Sequence, residues 1–264
     1  LMGTSHRAAP VRGVVASLKE GLRTLLSVPD HYAIVLGNGG ASAFWDVACA
    51  CLISSRAAFG SWGAFGAKFA SEAAHAPHLA TPLIDEAAHG SLATVSPREK
   101  SEGVDVYAYP HNETSTGVLS PVYRVEAPGA LTLVYGTSIA GAAPVDLTRV
   151  DAYYFSLQKA LGSDGGLWVA VLSPAAIERA RRIDTQIFSG DADIYDQLGR
   201  PDVVLHLAWR DGFVHNSPAH IEDLPAHYRF IENLLEGGCT HLAVMGSMHE
   251  VGYWEGAIDE NSAC

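Results

Sequence analysis

A single lysine, Lys159, ends the aromatic run Tyr153-Tyr154-Phe155-Ser156-Leu157-Gln158 and precedes the glycine-rich stretch Ala160-Leu161-Gly162-Ser163-Asp164-Gly165-Gly166. A buried strand that delivers one amine into a turn either carries a surface charge or places a nucleophile for imine chemistry with an aldehyde cofactor. Two other segments could serve such a site. Gly37-Asn38-Gly39-Gly40-Ala41-Ser42 joins an apolar stretch to a helical pattern, where close backbone approach and free helix N–H groups suit a phosphate. It lacks the last glycine of the dinucleotide fingerprint and the Gly-Lys-Ser/Thr of a P-loop, and a plain tight turn reads the same way. His111-Asn112-Glu113-Thr114-Ser115-Thr116-Gly117 directly follows the stretch 104–109, at the strand end where open α/β sheets hold ligands, although Asn, Ser and Thr are also ordinary turn formers.

Other constellations carry less. The twelve histidines include His75 and His78, but no HExxH or Cys/His zinc spacing occurs. Ser138, in Gly136-Thr137-Ser138-Ile139-Ala140-Gly141, is not in the GxSxG elbow of serine hydrolases.

The elements that must position these residues alternate. Pro10 opens an amphipathic helix to Leu26, with Val11, Val14, Val15, Leu18, Leu22 and Leu25 at helical spacing. Strands are predicted at 32–36, 104–109, 131–135, 152–156 and 167–172, with helices over about 41–53 and from Pro174 to Arg182. Strands separated by helices imply a largely parallel sheet covered on both faces. A smaller βαβ pattern follows, with strands at 202–208 and 241–246 around a helix at 219–236.

The chain has 264 residues, 48% hydrophobic and 17% charged, a globular composition with room for a sizeable core. No apolar run reaches membrane-spanning length and no signal peptide is visible. Four cysteines without a CxxC pair point to a reduced, cytoplasmic setting. The net charge of −12 argues against nucleic acid as a partner. That charge is uneven: residues 1–185 hold 14 Lys+Arg and 16 Asp+Glu, whereas residues 186–264 hold 3 and 13. The break suggests two units, 1–185 and 186–264, although one fold with an acidic face is the simpler alternative.

The runs Gly3-Thr4-Ser5-His6-Arg7, 37–45, 111–117 and 153–168, in that order, resemble the large domain of phosphoserine aminotransferase in its actinobacterial form, a pyridoxal-phosphate enzyme of fold type I. The resemblance covers residues 3–182 and implies roles. Lys159 would carry the cofactor as an imine and later shuttle the proton between the α-carbon and the cofactor. Gln158 and the N–H groups of Ala41 and Ser42 would hold the phosphate. Phe65 would stack on the pyridine ring and Thr114 would contact the phenolic oxygen. His6 and Arg7 would bind the substrate, a phosphoserine or glutamate. A homodimer is implied as well.

Two departures stand out. Tyr135 occupies the place of the family's aspartate, which keeps the pyridine nitrogen protonated, and a phenol of pKa about 10 does this weakly. The resemblance stops after about Ile183, so the family's C-terminal domain and the Asn-Thr pair lent by a neighbouring subunit have no counterpart. Residues 190–260 instead resemble the middle of an extended short-chain dehydrogenase/reductase of the nucleotide-sugar epimerase type, through 201–209 and 241–252. Leu207, Ala208 and Ser247 would then stand near a nicotinamide, but the glycine-rich first turn and a Tyr-x-x-x-Lys are absent. The expectation is therefore an N-terminally truncated aminotransferase large domain joined to a partial Rossmann-like βαβ segment, a composite chain. Its function would be transamination with pyridoxal 5'-phosphate, weakened by Tyr135. An NAD(P)-dependent epimerase or reductase, or a non-catalytic scaffold, is the alternative.

Overall fold

Residues 5, 8–187, 189–206 and 218–244 are described in a computed structural model of the chain, which divides into two compact units, 1–185 and 186–264. The first is built on a seven-stranded sheet. In chain order its elements are α1 (Ala9–Leu25), β1 (Ala33–Asn38), α2 (Ala43–Cys51), β2 (Arg56–Ser61), α3 (Ala64–His75), β3 (Leu83–Glu86), β4 (Val104–Pro110), the short pair β5 (Asn112–Glu113) and β6 (Val118–Leu119), β7 (Leu131–Tyr135), β8 (Ala152–Ser156), β9 (Leu167–Leu172) and α4 (Pro174–Ile187). The sheet order is β1-β9-β8-β7-β4-β2-β3.

Pairing is parallel from β3 through β2, β4 and β7 to β8. The fold is thus α/β with a mainly parallel sheet, and β9 is the exception, antiparallel to both β8 and β1. Two reversals in succession return β1 to the direction of β8. The carboxyl ends of β1, β2, β4, β7 and β8 therefore share one edge, the edge where such sheets gather their ligand-binding loops.

The central strands are apolar on both faces because both faces are covered. Ala152 and Tyr154 of β8 join Phe44, Trp45 and Ala48 of α2 and Phe69 and Ala73 of α3 in one core. Tyr153 and Phe155, pointing the other way, join Leu22 of α1 with Val95, Val125 and Val150 from the connections. Tyr153, Tyr154 and Phe155 are at most 1% exposed, and burial of side chains this size stabilises by roughly 1.5 to 3 kcal/mol each.

Polar clamps fix the layers. Asp151 accepts a two-point contact from Arg124 (2.7 and 3.3 Å), the Thr132 amide at 2.9 Å and the Ser173 hydroxyl at 2.8 Å, which ties the starts of β7, β8 and α4 together. Arg179 of α4 donates to the Leu52 and Gly129 carbonyls at 3.0 and 2.8 Å. Cys49 of α2 is buried, and desolvation, with smaller contributions from Asp46 and Glu72, pushes its thiol up to about 12.

Structure and sequence differ at β2, α3 and β3, which the pattern does not announce. Arg56-Ala57-Ala58-Phe59-Gly60-Ser61 contains no β-branched residue, yet it pairs with β4 and β3 and is buried from Ala57 onward.

The second unit contains α5 (Ile194–Gln197), β10 (Val204–His206), α6 (Pro218–Glu236) and β11 (Leu242–Val244). β10 and β11 are parallel neighbours, joined through α6. Ile194, Tyr195, Val204, Phe230, Leu234 and Cys239 form its small core. His206 and His227 are buried there in hydrogen-bond contact at 2.8 Å. Among the described residues no helix is long and apolar enough to cross a membrane, and no cluster of three or more His, Cys, Asp or Glu could hold a metal ion.

Candidate active site

The carboxyl edge of the sheet brings the candidate residues to one side of the first unit. β8 ends at Ser156; Leu157 is still buried, and Gln158 and Lys159 then emerge exposed. The loop turns tightly, with the Gly162 amide donating to the Lys159 carbonyl at 2.9 Å and the Ser163 amide to that of Leu157 at 3.2 Å. Both ends of this loop are fastened to the glycine turn after β1. The Gly39 amide donates to the Gly166 carbonyl at 2.9 Å, and the Ala41 amide donates to the Ser156 hydroxyl at 2.6 Å. Gly39 has φ +101°, a left-handed conformation that favours glycine and lets the turn lie against the lysine loop.

Ala41 is buried, and its N–H is already committed to Ser156. That differs from the sequence expectation of an amide free for phosphate. Ser42, exposed at the N-cap of α2, makes no side-chain cap. The amides of Ala43, Phe44 and Trp45 bond back to the carbonyls of Gly40, Ala41 and Ser42, so the first turn of α2 is wound tight.

Tyr135 is the last residue of β7 and is 8% exposed. It sits among aromatic rings: Phe65 stacked at a centroid distance of 5.5 Å and 22° between planes, Tyr154 at 5.6 Å and Trp45 at 6.4 Å. Burial raises the phenol above its ordinary value; the nearby Glu113 charge adds to this and a hydrogen bond with Thr137 opposes it. The phenol is therefore neutral at physiological pH. Thr137 accepts the Ser156 amide at 3.2 Å, so contacts run from Tyr135 through Thr137 and Ser156 to Ala41. A cavity of about 10 Å³ is lined by Phe65, Tyr135 and Tyr154 together with Phe59 and Phe69.

Thr114 is exposed in the loop between β5 and β6, beside the fully buried Glu113. The loop is anchored to the exit of β7 by the Asn112 side chain, whose Nδ2 donates to the Ser138 hydroxyl at 2.8 Å. The neighbouring His111 is buried on the opposite face of the sheet, where its Nδ1 contacts the Tyr153 hydroxyl at 3.0 Å. Glu113 lies inside the motif 111–117, but nothing local in the sequence marks it as a buried carboxylate. His6 and Arg7, and likewise Leu207, Ala208 and Ser247, lie outside the described residues.

The side chains on the loops of this edge are of the types that pyridoxal phosphate requires. An exposed primary amine, Lys159, projects from the strand-end loop. Exposed hydrogen-bonding groups, Gln158, Ser42 and Thr114, stand on the loops of the same edge, and Phe65 is a half-buried aromatic platform. Tyr135, where the resemblance expects a carboxylate for the ring nitrogen, is a buried neutral phenol.

Comparisons with known proteins bear on the family and the fold. Residues 3–185 match the family aminotransferase class-V. A phosphoserine aminotransferase of Nocardioides sp. is 51% identical over 187 residues, which is 69% of this chain and 49% of that protein. The chain thus spans about half the length of the curated relatives it matches. Among solved structures, a phosphoserine aminotransferase from Cytophaga hutchinsonii superposes with a TM-score of 0.63 at 22% identity, covering 90% of this chain and 62% of that one. The ureidoglycine-glyoxylate aminotransferase of Bacillus subtilis superposes with a TM-score of 0.59 at 18% identity, covering 90% and 62%. At those identities the superpositions speak to fold, that of the type I pyridoxal-phosphate enzymes. The family match over residues 3–185, the relative at half identity and the lysine loop at the carboxyl edge together lead to one conclusion: the chain belongs to the class-V aminotransferases.

Proposed function

We propose that this protein carries the cofactor-binding part of a pyridoxal-phosphate-dependent phosphoserine aminotransferase, which exchanges an amino group reversibly between glutamate and 3-phosphohydroxypyruvate. The observation that carries the reading is the Lys159 loop, fastened at both ends to the Gly39–Ala41 turn. It keeps the lysine loop after β8 and the start of α2 together at one edge. When bound, pyridoxal phosphate supplies the aldehyde that takes up the amino group and a ring that withdraws electrons from the α-carbon.

The chain's own groups would do the rest. Lys159 would hold the cofactor covalently and, once released, carry the proton to and from the substrate α-carbon. Gln158 and the Ser42 backbone would hold the phosphate. Thr114 would meet the phenolic oxygen and Phe65 would fix the ring plane. His6 and Arg7 would anchor the substrate's acidic groups, a role suited to a guanidinium fork. Tyr135 would offer the ring nitrogen a neutral hydrogen bond, which favours slow turnover.

We read residues 186–264 as a Rossmann-like βαβ piece in a composite chain, and the stretch 186–203 before β10 carries none of the glycine-rich pattern that a dinucleotide phosphate would need. A cytoplasmic homodimer is the assembly this reading implies.

Borohydride trapping tests the reading. Pyridoxal phosphate is added, the imine is reduced, and the modified peptide is mapped by mass. The label should fall on Lys159, and Lys159→Ala should lose both label and visible absorbance. A label spread over surface lysines in both proteins would end the proposal.

A further inference from the structure

Two carboxylates are buried among the described residues, Asp151 and Glu113, and only Glu113 lies beside the candidate site. It is 0% exposed, and its oxygens are spoken for by the start of α3 and by its own loop. Oε2 accepts the Phe65 amide at 3.0 Å and the Gly66 amide at 3.1 Å. Oε1 accepts the Ser115 amide at 3.2 Å and the Ser115 hydroxyl at 2.6 Å. The same Ser115 hydroxyl accepts the Ala64 amide at 2.8 Å. Three consecutive N–H groups in the first turn of α3 are thus satisfied from about 50 positions away.

The helix has no device of its own for this. Its N-cap is Gly63, which offers no side chain, and its first turn contains no acidic residue. Gly63 is what allows the approach, since a Cβ there would stand 2.4 Å from the Glu113 Cγ and the Ser115 Oγ. The Thr116 hydroxyl adds a bond to the Trp62 carbonyl at 2.8 Å, which closes the contact on the N-terminal side of Gly63.

From this geometry we infer that Glu113 is a positioning residue for the aromatic platform. By gripping the Phe65 and Gly66 amides, the carboxylate sets where the Phe65 ring stands over Tyr135. It holds Thr114, its neighbour in sequence, in a fixed relation to that ring. The inference deepens the functional reading above and rests on it only for the identity of the ring that Phe65 would receive. The placement of Phe65 itself does not depend on that identity.

The test therefore has one arm without cofactor and one with it. The protein is labelled with 4-fluorophenylalanine, and the Phe65 resonance is assigned through Phe65→Leu. Pyridoxal phosphate affinity is measured on the same proteins by absorbance, with borohydride mapping to Lys159. Glu113→Ala should shift the Phe65 fluorine resonance and weaken cofactor affinity at least tenfold. Glu113→Gln, which keeps one oxygen for the two helix amides, should restore the resonance and bring affinity back to within about threefold of wild type. Asp151→Ala removes the other buried carboxylate and controls for lost stability; it should leave the resonance and the affinity of the folded protein unchanged.

The inference is overturned if Glu113→Ala leaves the Phe65 resonance in place, or if Asp151→Ala moves resonance and affinity as far as Glu113→Ala does. Should Glu113→Ala fail to fold, Ser115→Ala decides instead. It removes the Ala64 acceptor and a donor to Oε1, and an unmoved Phe65 resonance would count against the inference. If wild type takes up no cofactor on Lys159, the functional reading fails while the fluorine arm still decides the role of Glu113.

Discussion

Under the proposed function, Tyr135 would set the chemistry that the site can perform. Its phenol, raised by burial and by the Glu113 charge, stays neutral over the physiological range and cannot hold a pyridine nitrogen in the protonated form as a carboxylate does. Tyr135→Asp should therefore accelerate the glutamate half-reaction at least tenfold, read by single-turnover absorbance. The same change should cost stability. It removes a ring packed against Phe65, Tyr154 and Trp45 and places a carboxylate among them, for a loss of about 3 kcal/mol in urea unfolding. Equal half-reaction rates in wild type and variant would mean that the ring nitrogen has another partner. Asp151 is the contrasting case, a buried carboxylate remote from the chemistry. Asp151→Ala leaves Arg124, the Thr132 amide and the Ser173 hydroxyl without their acceptor and should destabilise the first unit by about 3 kcal/mol.

Elements differ in how openly the sequence announces them. β7, β8 and β9 are legible to the residue because they are short apolar runs bounded by turn residues, and the structure places them at 131–135, 152–156 and 167–172. α1 and α4 are legible from periodicity and an early proline. β2 and α3 are hidden for separate reasons. β2 is made of small residues whose burial depends on strands far away in sequence. α3 lacks a local start signal because its capping carboxylate, Glu113, comes from β5. The candidate site divides the same way: Lys159 and the Gly39-Gly40 turn are local patterns, whereas the bond from Ala41 to Ser156 spans 115 positions and no pattern encodes it. Ser156→Ala isolates that link. It should free the Ala41 amide and loosen the start of α2 by about 1 kcal/mol in thermal unfolding of the first unit.

For the molecule as a whole, pH acts on the first unit through an imidazole that its fold keeps dry. Burial lowers His111 below the ordinary histidine value. The sign follows directly. Below about pH 6.5 the unfolded chain takes up a proton that the folded one refuses, so stability falls as pH falls through and below that value and is level above it. Urea midpoints between pH 8 and 5 should show that decline, and His111→Asn should flatten it. A slope unchanged in His111→Asn would assign the decline to other groups.

Cys49 gives the first unit a clock. Its thiol lies under α2, the helix whose start adjoins the Ala41–Ser42 turn, and burial holds it at about 12, so almost no thiolate exists at pH 8 while the helix is seated. Alkylation of Cys49 then depends on α2 lifting away, and where reclosing outpaces the chemistry its slow rate reports the fraction of time the helix spends open. Any ligand that engages the start of α2 must make those excursions rarer. Pyridoxal phosphate should slow Cys49 modification in proportion to its occupancy, whereas a ligand bound elsewhere in the unit would leave the rate unchanged.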